Sequence, residues 1–261
     1  MTIWILILLA IIQGVTEFLP ISSSGHLVLL YKIFNIEENT ILLSVVLHAA
    51  TLLSILIYYW NDLVKLIKKP FCKTNINLLI TTITTCTIVL FVKPIIESSF
   101  DGRWLNIGFI ITAIILFVSQ ILHKNAHLSS IDIRNLDINK KSAFAIGVSQ
   151  AIACFPAISR SGTTIACALL CNVRKEDATK YSFLISIPIV FASLIMEIVE
   201  CITLNTPINF EIIPIVMSFI IAFVVGLASI KLMTKLVNKG KLYYFSFYLI
   251  FLVIILTIFK I

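Results

Sequence analysis

Apolar positions in this chain run in long blocks instead of recurring at the spacing of a surface helix. Six blocks, at about 41–60, 76–93, 104–122, 181–204, 210–230 and 242–259, reach the roughly 20 residues that a helix needs to cross a bilayer. Two further apolar stretches are broken at their centres. The stretch 2–34 carries Gln13, Glu17, Pro20 and the run Ser22-Ser23-Ser24-Gly25-His26. The stretch 143–172 carries Gln150, Pro156 and the run Ser159-Arg160-Ser161-Gly162-Thr163-Thr164. Each break leaves apolar pieces of about 10–14 residues, too short to cross alone, and this predicts a helix-turn-helix that enters and leaves by one face. The expected fold is an all-α integral membrane protein: six transmembrane helices plus two re-entrant segments in one membrane domain spanning 1–261.

Composition agrees with that pattern. Of 261 residues, 59% are apolar and 13% charged, and mean hydropathy is +1.06, whereas a soluble domain has roughly 45–50% apolar and 25% charged residues. The net charge of +7 does not point to nucleic acid, because the cations sit in short loops without interleaved aromatics. The N-terminal run lacks preceding cations and a small-residue cleavage site, so a cleaved signal peptide is not expected. The six cysteines have no CxxC pairing or zinc-like spacing and read as small core residues.

Charge position adds orientation. Loops 61–75, 123–142, 173–180 and 231–241 hold fifteen of the twenty Lys and Arg residues, which by the positive-inside rule places them on the cytoplasmic side. The broken stretch 143–172 then enters from the cytoplasmic face and 2–34 from the external face, with both termini external. The two stretches also resemble each other. At a constant offset of 137, Gln13 matches Gln150, Phe18 matches Phe155, Ile21 matches Ile158, Ser22 matches Ser159, Ser24 matches Ser161 and Gly25 matches Gly162. With opposite orientation this is an inverted repeat, about 1–93 and 143–230, and discontinuous helices in such repeats meet at a ligand site near the bilayer midplane.

Serines and glycines ahead of an apolar helical run supply N-caps and free backbone N–H groups, which together favour an anion such as phosphate. Ser22, Ser24, Gly25, Ser159, Ser161, Gly162 and Thr164 are the candidate phosphate-binding residues, supported by Gln13 and Gln150. Arg160 completes a clamp, because a guanidinium stays charged and binds phosphate through two donors. Glu17 can serve as general base or as ligand to a hard cation. Ser23, His26 or water can make the attack. His48 reads as a structural histidine in a span, His123 and His127 as solvated loop residues, and Glu197 and Glu200 as rim charges.

These motifs resemble those of the undecaprenyl-diphosphate phosphatase family, also called the bacitracin-resistance proteins. Gln13-Gly-Val-Thr-Glu17-Phe-Leu-Pro-Ile-Ser-Ser-Ser-Gly-His26 is similar to the family's first motif throughout. Pro156-Ala157-Ile158-Ser159-Arg160-Ser161-Gly162-Thr163-Thr164 matches the second apart from Ala157, where the family has glycine. Tyr181-Ser-Phe-Leu-Ile-Ser-Ile-Pro188 also looks like the family. Ala157 implies a turn that avoids positive φ or accepts some strain. Gln13 leaves Glu17 as the one acidic side chain of the two motifs. The resemblance implies hydrolysis of undecaprenyl diphosphate to the monophosphate, which recycles the carrier lipid of cell-wall synthesis. It also implies Mg²⁺ or Ca²⁺ as cofactor, a bacterial plasma (inner) membrane location and an externally open site. The expected partners are the polyprenyl diphosphate and the bilayer, with no nucleic acid; a homodimer is compatible with it. Inverted repeats of broken helices also suit a lipid-phosphate flippase, the rival reading. The type 2 phosphatidic-acid phosphatases are a weaker rival, because no histidine follows His127.

Overall fold

A computed structural model describes residues 2–36, 40–128, 138–203 and 212–259, with the side chains of Asp101 and 124–128 outside the description. The parts of the expected spans and loops at 129–137, 204 and 210–211 lie outside the described residues. Among the described residues all regular structure is helical. The order is α1 (Ile3–Thr16), α2 (Ser23–Ile33), α3 (Thr40–Tyr58), α4 (Trp60–Lys68), α5 (Lys73–Ser98), α6 (Leu105–Leu128), α7 (Lys140–Ile152), α8 (Arg160–Leu170), α9 (Lys175–Thr203), α10 (Ile212–Asn238) and α11 (Tyr243–Phe259). Runs rich in Ile, Val and Thr, weak helix formers in water, are helical here because a bilayer leaves backbone N–H and C=O groups no partner but each other.

Among the described residues five helices are long and apolar enough to cross a membrane: α3, α5, the 105–123 part of α6, α9 and α10. The sixth expected span is α11, only 17 residues long, and α1 is a shorter apolar helix. Their outward faces carry exposed large side chains, such as Leu90 and Phe91 on α5, Ile212 and Ile213 on α10 and Phe251 on α11. A soluble monomer rarely shows contiguous apolar surface on that scale.

Helix α1 packs along α10, and α7 packs along α5; α3 lies against α9 and α10, and α6 against α8 and α11. Backbones come close where residues are small or hydroxylated, the usual means of joining helices in lipid. Ser54 Oγ donates to Phe223 O at 2.9 Å. Thr81 and Thr85 donate to Ala143 O and Gly147 O at 2.9 and 3.0 Å. Phe18 and Phe183 meet edge to face, their centroids 5.7 Å apart, in the largest buried cluster.

The breaks fall where the pattern places them. After α1 the chain passes Pro20 and restarts at Ser23; after α7 it passes Pro156 and restarts at Arg160, because proline offers no N–H and clashes with the preceding turn of a continuing helix. Two expectations need correction. His123 is not a solvated loop residue: it lies in α6, 3% exposed, its Nδ1 3.2 Å from Leu169 O. The helix runs further than the hydropathy and carries the ring under α8. Position 127 is likewise helical, with its side chain outside the description. The six cysteines are free and half-buried, at the edges of the packing and not at its centre.

Ala157 has φ of +61°, so the second turn accepts the left-handed conformation that an alanine resists. Its Cβ is accommodated because α6 presents Gly108: a Cβ there would stand 2.4 Å from Pro156 O and 2.8 Å from Ala157 Cβ. Gly108→Ala is therefore expected to cost about 1–3 kcal/mol by overpacking, read as a lower Tm in detergent. An unchanged Tm would mean that α6 does not hold this turn.

Candidate active site

Two serines start the helices that follow the breaks, and they cap them alike. Ser22 Oγ accepts from Gly25 N at 3.3 Å and Ser159 Oγ from Gly162 N at 3.1 Å, the side-chain cap expected of serine. Each cap hydroxyl also meets the hydroxyl two residues on, Ser24 at 3.2 Å and Ser161 at 3.3 Å. The two turns touch: Ser161 Oγ donates to Leu19 O at 3.3 Å, and Gly25 lacks a Cβ that would stand 3.0 Å from Ala157 Cα. Thr112 of α6 braces the second turn, accepting from Ser159 N at 3.0 Å and donating to Ala157 O at 3.2 Å.

Between the turns lies a cavity of ≈170 Å³. Glu17, Ser22, Ser23 and Ser24 line one side, Cys154, Ser159 and Arg160 another, and Ile189, Val190 and Ser193 of α9 with His48 of α3 complete it. Glu17 is 6% exposed and is the centre of the polar contacts. The Arg160 guanidinium donates through Nη2 to Glu17 Oε1. Ser23 Oγ donates to Glu17 Oε2 at 2.5 Å and Gln13 Nε2 donates to the same oxygen at 3.1 Å. Arg160 Nη1 reaches Ser186 O at 3.5 Å. A carboxylate in hydrogen-bond contact with a serine hydroxyl is the arrangement that activates an oxygen nucleophile. The guanidinium and two capped helix N-termini beside it favour an anion.

The offset of 137 explains how the pair forms. Glu17 corresponds to Cys154 and Ser23 to Arg160, so all four reach one cavity although only one copy carries the acid and only the other the cation. Buried apart, either charge would be costly; together each supplies the other's partner.

Not every candidate residue reaches the cavity. His26 lies behind the first turn, 6% exposed. Its Nδ1 is 2.7 Å from Ser22 O and its Nε2 2.8 Å from Tyr248 OH, and the ring stacks on Tyr248. Both nitrogens are thus engaged in holding the turn. Thr164 Oγ1 donates to Arg160 O at 2.8 Å and lies 2.5 Å from Ser182 Oγ, joining α8 to α9. Gln150 Nε2 donates to Thr85 Oγ1 at 3.2 Å. Gly25 and Gly162 contribute as capped amides. Gln13 stands behind Glu17, its Oε1 buried without a hydrogen bond.

Cys154, Ser193 and His48 line the cavity, where none of them was expected. Ser193 lies one helical turn before Glu197, and Glu197 is not a rim charge: it bonds to His48 Nδ1 and accepts from Ser44 Oγ at 2.9 Å. Of the two glutamates only Glu200 is exposed. The signal in the sequence was Ser44 and His48 spaced one turn apart in an otherwise apolar span.

The chain is 36% identical to a protein of Carboxydothermus hydrogenoformans named undecaprenyl-diphosphatase, over 93% of this chain and 91% of that one. Proteins of the same name from Thermosipho africanus, 38% identical over 95% of this chain and 97% of that one, and Borrelia hermsii, 39% identical over 95% of each, are similarly related. A model of one family, described as bacitracin resistance protein BacA, matches residues 6–255. With the match covering both turns and every helix that borders the cavity, the chain belongs to the BacA bacitracin-resistance protein family.

Proposed function

We propose that this chain hydrolyses undecaprenyl diphosphate to undecaprenyl phosphate and inorganic phosphate at the Glu17–Arg160 cavity. The relatives' name supplies the substrate class; Ser23 on Glu17, at 2.5 Å, carries the chemistry. Arg160 and the helix N-termini bind the terminal phosphate. As Ser23 Oγ attacks its phosphorus, the hydroxyl proton passes to Glu17. The bond from phosphorus to the bridging oxygen breaks, and its electron pair leaves with the lipid monophosphate. Water then attacks the seryl phosphate, phosphate departs and Glu17 returns the proton to Ser23 Oγ. Ser22, Ser24 and Ser159 line the cavity and donate to phosphate oxygens.

The donor set suits a hard cation. Glu17, the partnerless Gln13 Oε1 and the serine hydroxyls are all oxygen ligands. Among the described residues no three His, Cys, Asp or Glu side chains cluster, so phosphate oxygens and water would complete the shell of Mg²⁺ or Ca²⁺. When bound, the ion would offset charge on the diphosphate.

In this reading six spans and two re-entrant hairpins form an inverted repeat, supported by the swapped packing of α1 on α10 and α7 on α5. The fifteen loop cations support a cytoplasmic side for their loops with both termini outside, and the family resemblance supports a bacterial plasma-membrane location with the site open to the external face. A flippase needs no serine held on a carboxylate, so that rival is not favoured. Purified protein in detergent with undecaprenyl diphosphate and Mg²⁺ is expected to release one phosphate per lipid; binding without release would overturn the proposal.

A further inference from the structure

We infer that His48, held from behind by Glu197, is a second phosphate-binding group of this cavity, reaching the diphosphate through Nε2. The inference rests on the phosphatase reading for the identity of the ligand, and on geometry for the residue.

His48 belongs to α3 and lines the same cavity as Glu17, Ser23 and Arg160. Its Nδ1 is 3.0 Å from Glu197 Oε1 and 3.1 Å from Oε2, while Ser44 Oγ donates to the same carboxylate at 2.9 Å. A ring nitrogen facing a carboxylate is a donor, and that contact fixes both orientation and tautomer. The opposite nitrogen, Nε2, makes no hydrogen bond among the described residues, and the residue lines the cavity. A carboxylate that holds one nitrogen of an imidazole at a cavity wall leaves the other nitrogen for a ligand there.

Charge fits the diphosphate of that reading. Among the described residues the lining holds one full cation, Arg160, and Glu17 already offsets it. A diphosphate is multiply charged, so Arg160 alone leaves most of its oxygens without a charged donor. With phosphate oxygens on the Nε2 side and Glu197 on the Nδ1 side, the ring carries a proton on each nitrogen and links the two. Glu197 positions it and does not touch substrate.

Two substitutions separate this role from a structural tie between α3 and α9. Glutamine places its amide nitrogen near the place of Nε2, and asparagine places its own near Nδ1. His48→Gln is therefore expected to keep the Kd for inorganic diphosphate, measured by calorimetry, and the KM for the lipid within about threefold. His48→Asn keeps the Glu197 contact and is expected to weaken both about 10- to 100-fold, the range for a hydrogen bond to a charged group. If His48→Asn fails to fold, His48→Leu replaces it, with the same loss expected. Asparagine or leucine binding as tightly as wild type, glutamine losing as much affinity as asparagine, or a fall in kcat alone with Kd unchanged would each overturn the assignment. The binding measurement needs no turnover: a wild-type chain that binds diphosphate through His48 yet releases no phosphate contradicts the phosphatase reading and leaves this one standing.

Discussion

Glu17→Gln is expected to lower kcat for phosphate release about 10²- to 10⁴-fold, the usual contribution of a positioned general base, without raising KM. Glutamine has nearly the shape of glutamate: its oxygen can still accept from Arg160, while its amide nitrogen, in place of the oxygen that accepts from Ser23, donates to that hydroxyl. It cannot take the serine proton. It also frees Arg160 from its counter-charge, and the guanidinium then meets the diphosphate with its full charge. Ground-state binding therefore holds or tightens while the chemical step fails, the pattern of a group that acts in the transition state. Steady-state kinetics with the lipid substrate check this. A variant with wild-type kcat would remove Glu17 from the chemistry, and a raised KM with kcat intact would make it a substrate ligand instead.

Arg160→Ala is expected to act on both constants, lowering kcat/KM about 10³-fold or more, in the range seen when an arginine that stabilises a phosphoryl transition state is removed. Stability suffers too. Glu17 is 6% exposed, and with its partner gone an unpaired buried carboxylate costs about 3–5 kcal/mol. A fall in activity could then reflect unfolding alone, so the double variant Glu17→Gln with Arg160→Ala is the control. Removing both charges restores most of the Tm and none of the activity. If the double variant regained activity, Arg160 would serve only to neutralise Glu17 and the phosphate clamp would be wrong.

The two predictions depend on one contact between residues 143 positions apart, and sequence offered only part of it. Both turns were legible because serine, glycine and proline in an apolar stretch can be explained only by a break and a cap; the caps fell on Ser22 and Ser159, as the offset requires. His26 was a candidate nucleophile because histidine beside a serine-rich turn has suitable chemistry. Which way its ring points is decided by Tyr248, 222 residues away, and no local pattern carries that. His123 was placed in a loop because hydropathy falls before the helix does. Glu197 was read as a rim charge for a like reason: a carboxylate near a span end is ordinarily solvated, and only the arrival of α3 alongside α9 puts His48 against it.

By itself, then, the sequence determined that the chain is helical and embedded in lipid, where it breaks, and that serines cap the helices restarting there, because these depend on composition and on local rules of capping and of backbone satisfaction. Tertiary structure alone decided which side chains share the cavity: it brought Glu17 to Arg160, turned His26 away and admitted His48. Those outcomes depend on how helices distant in the chain pack. Packing of apolar faces in lipid is set by the fit of small residues such as Gly14 against Ala222 and Gly108 against Pro156, a three-dimensional match that the one-dimensional pattern does not encode.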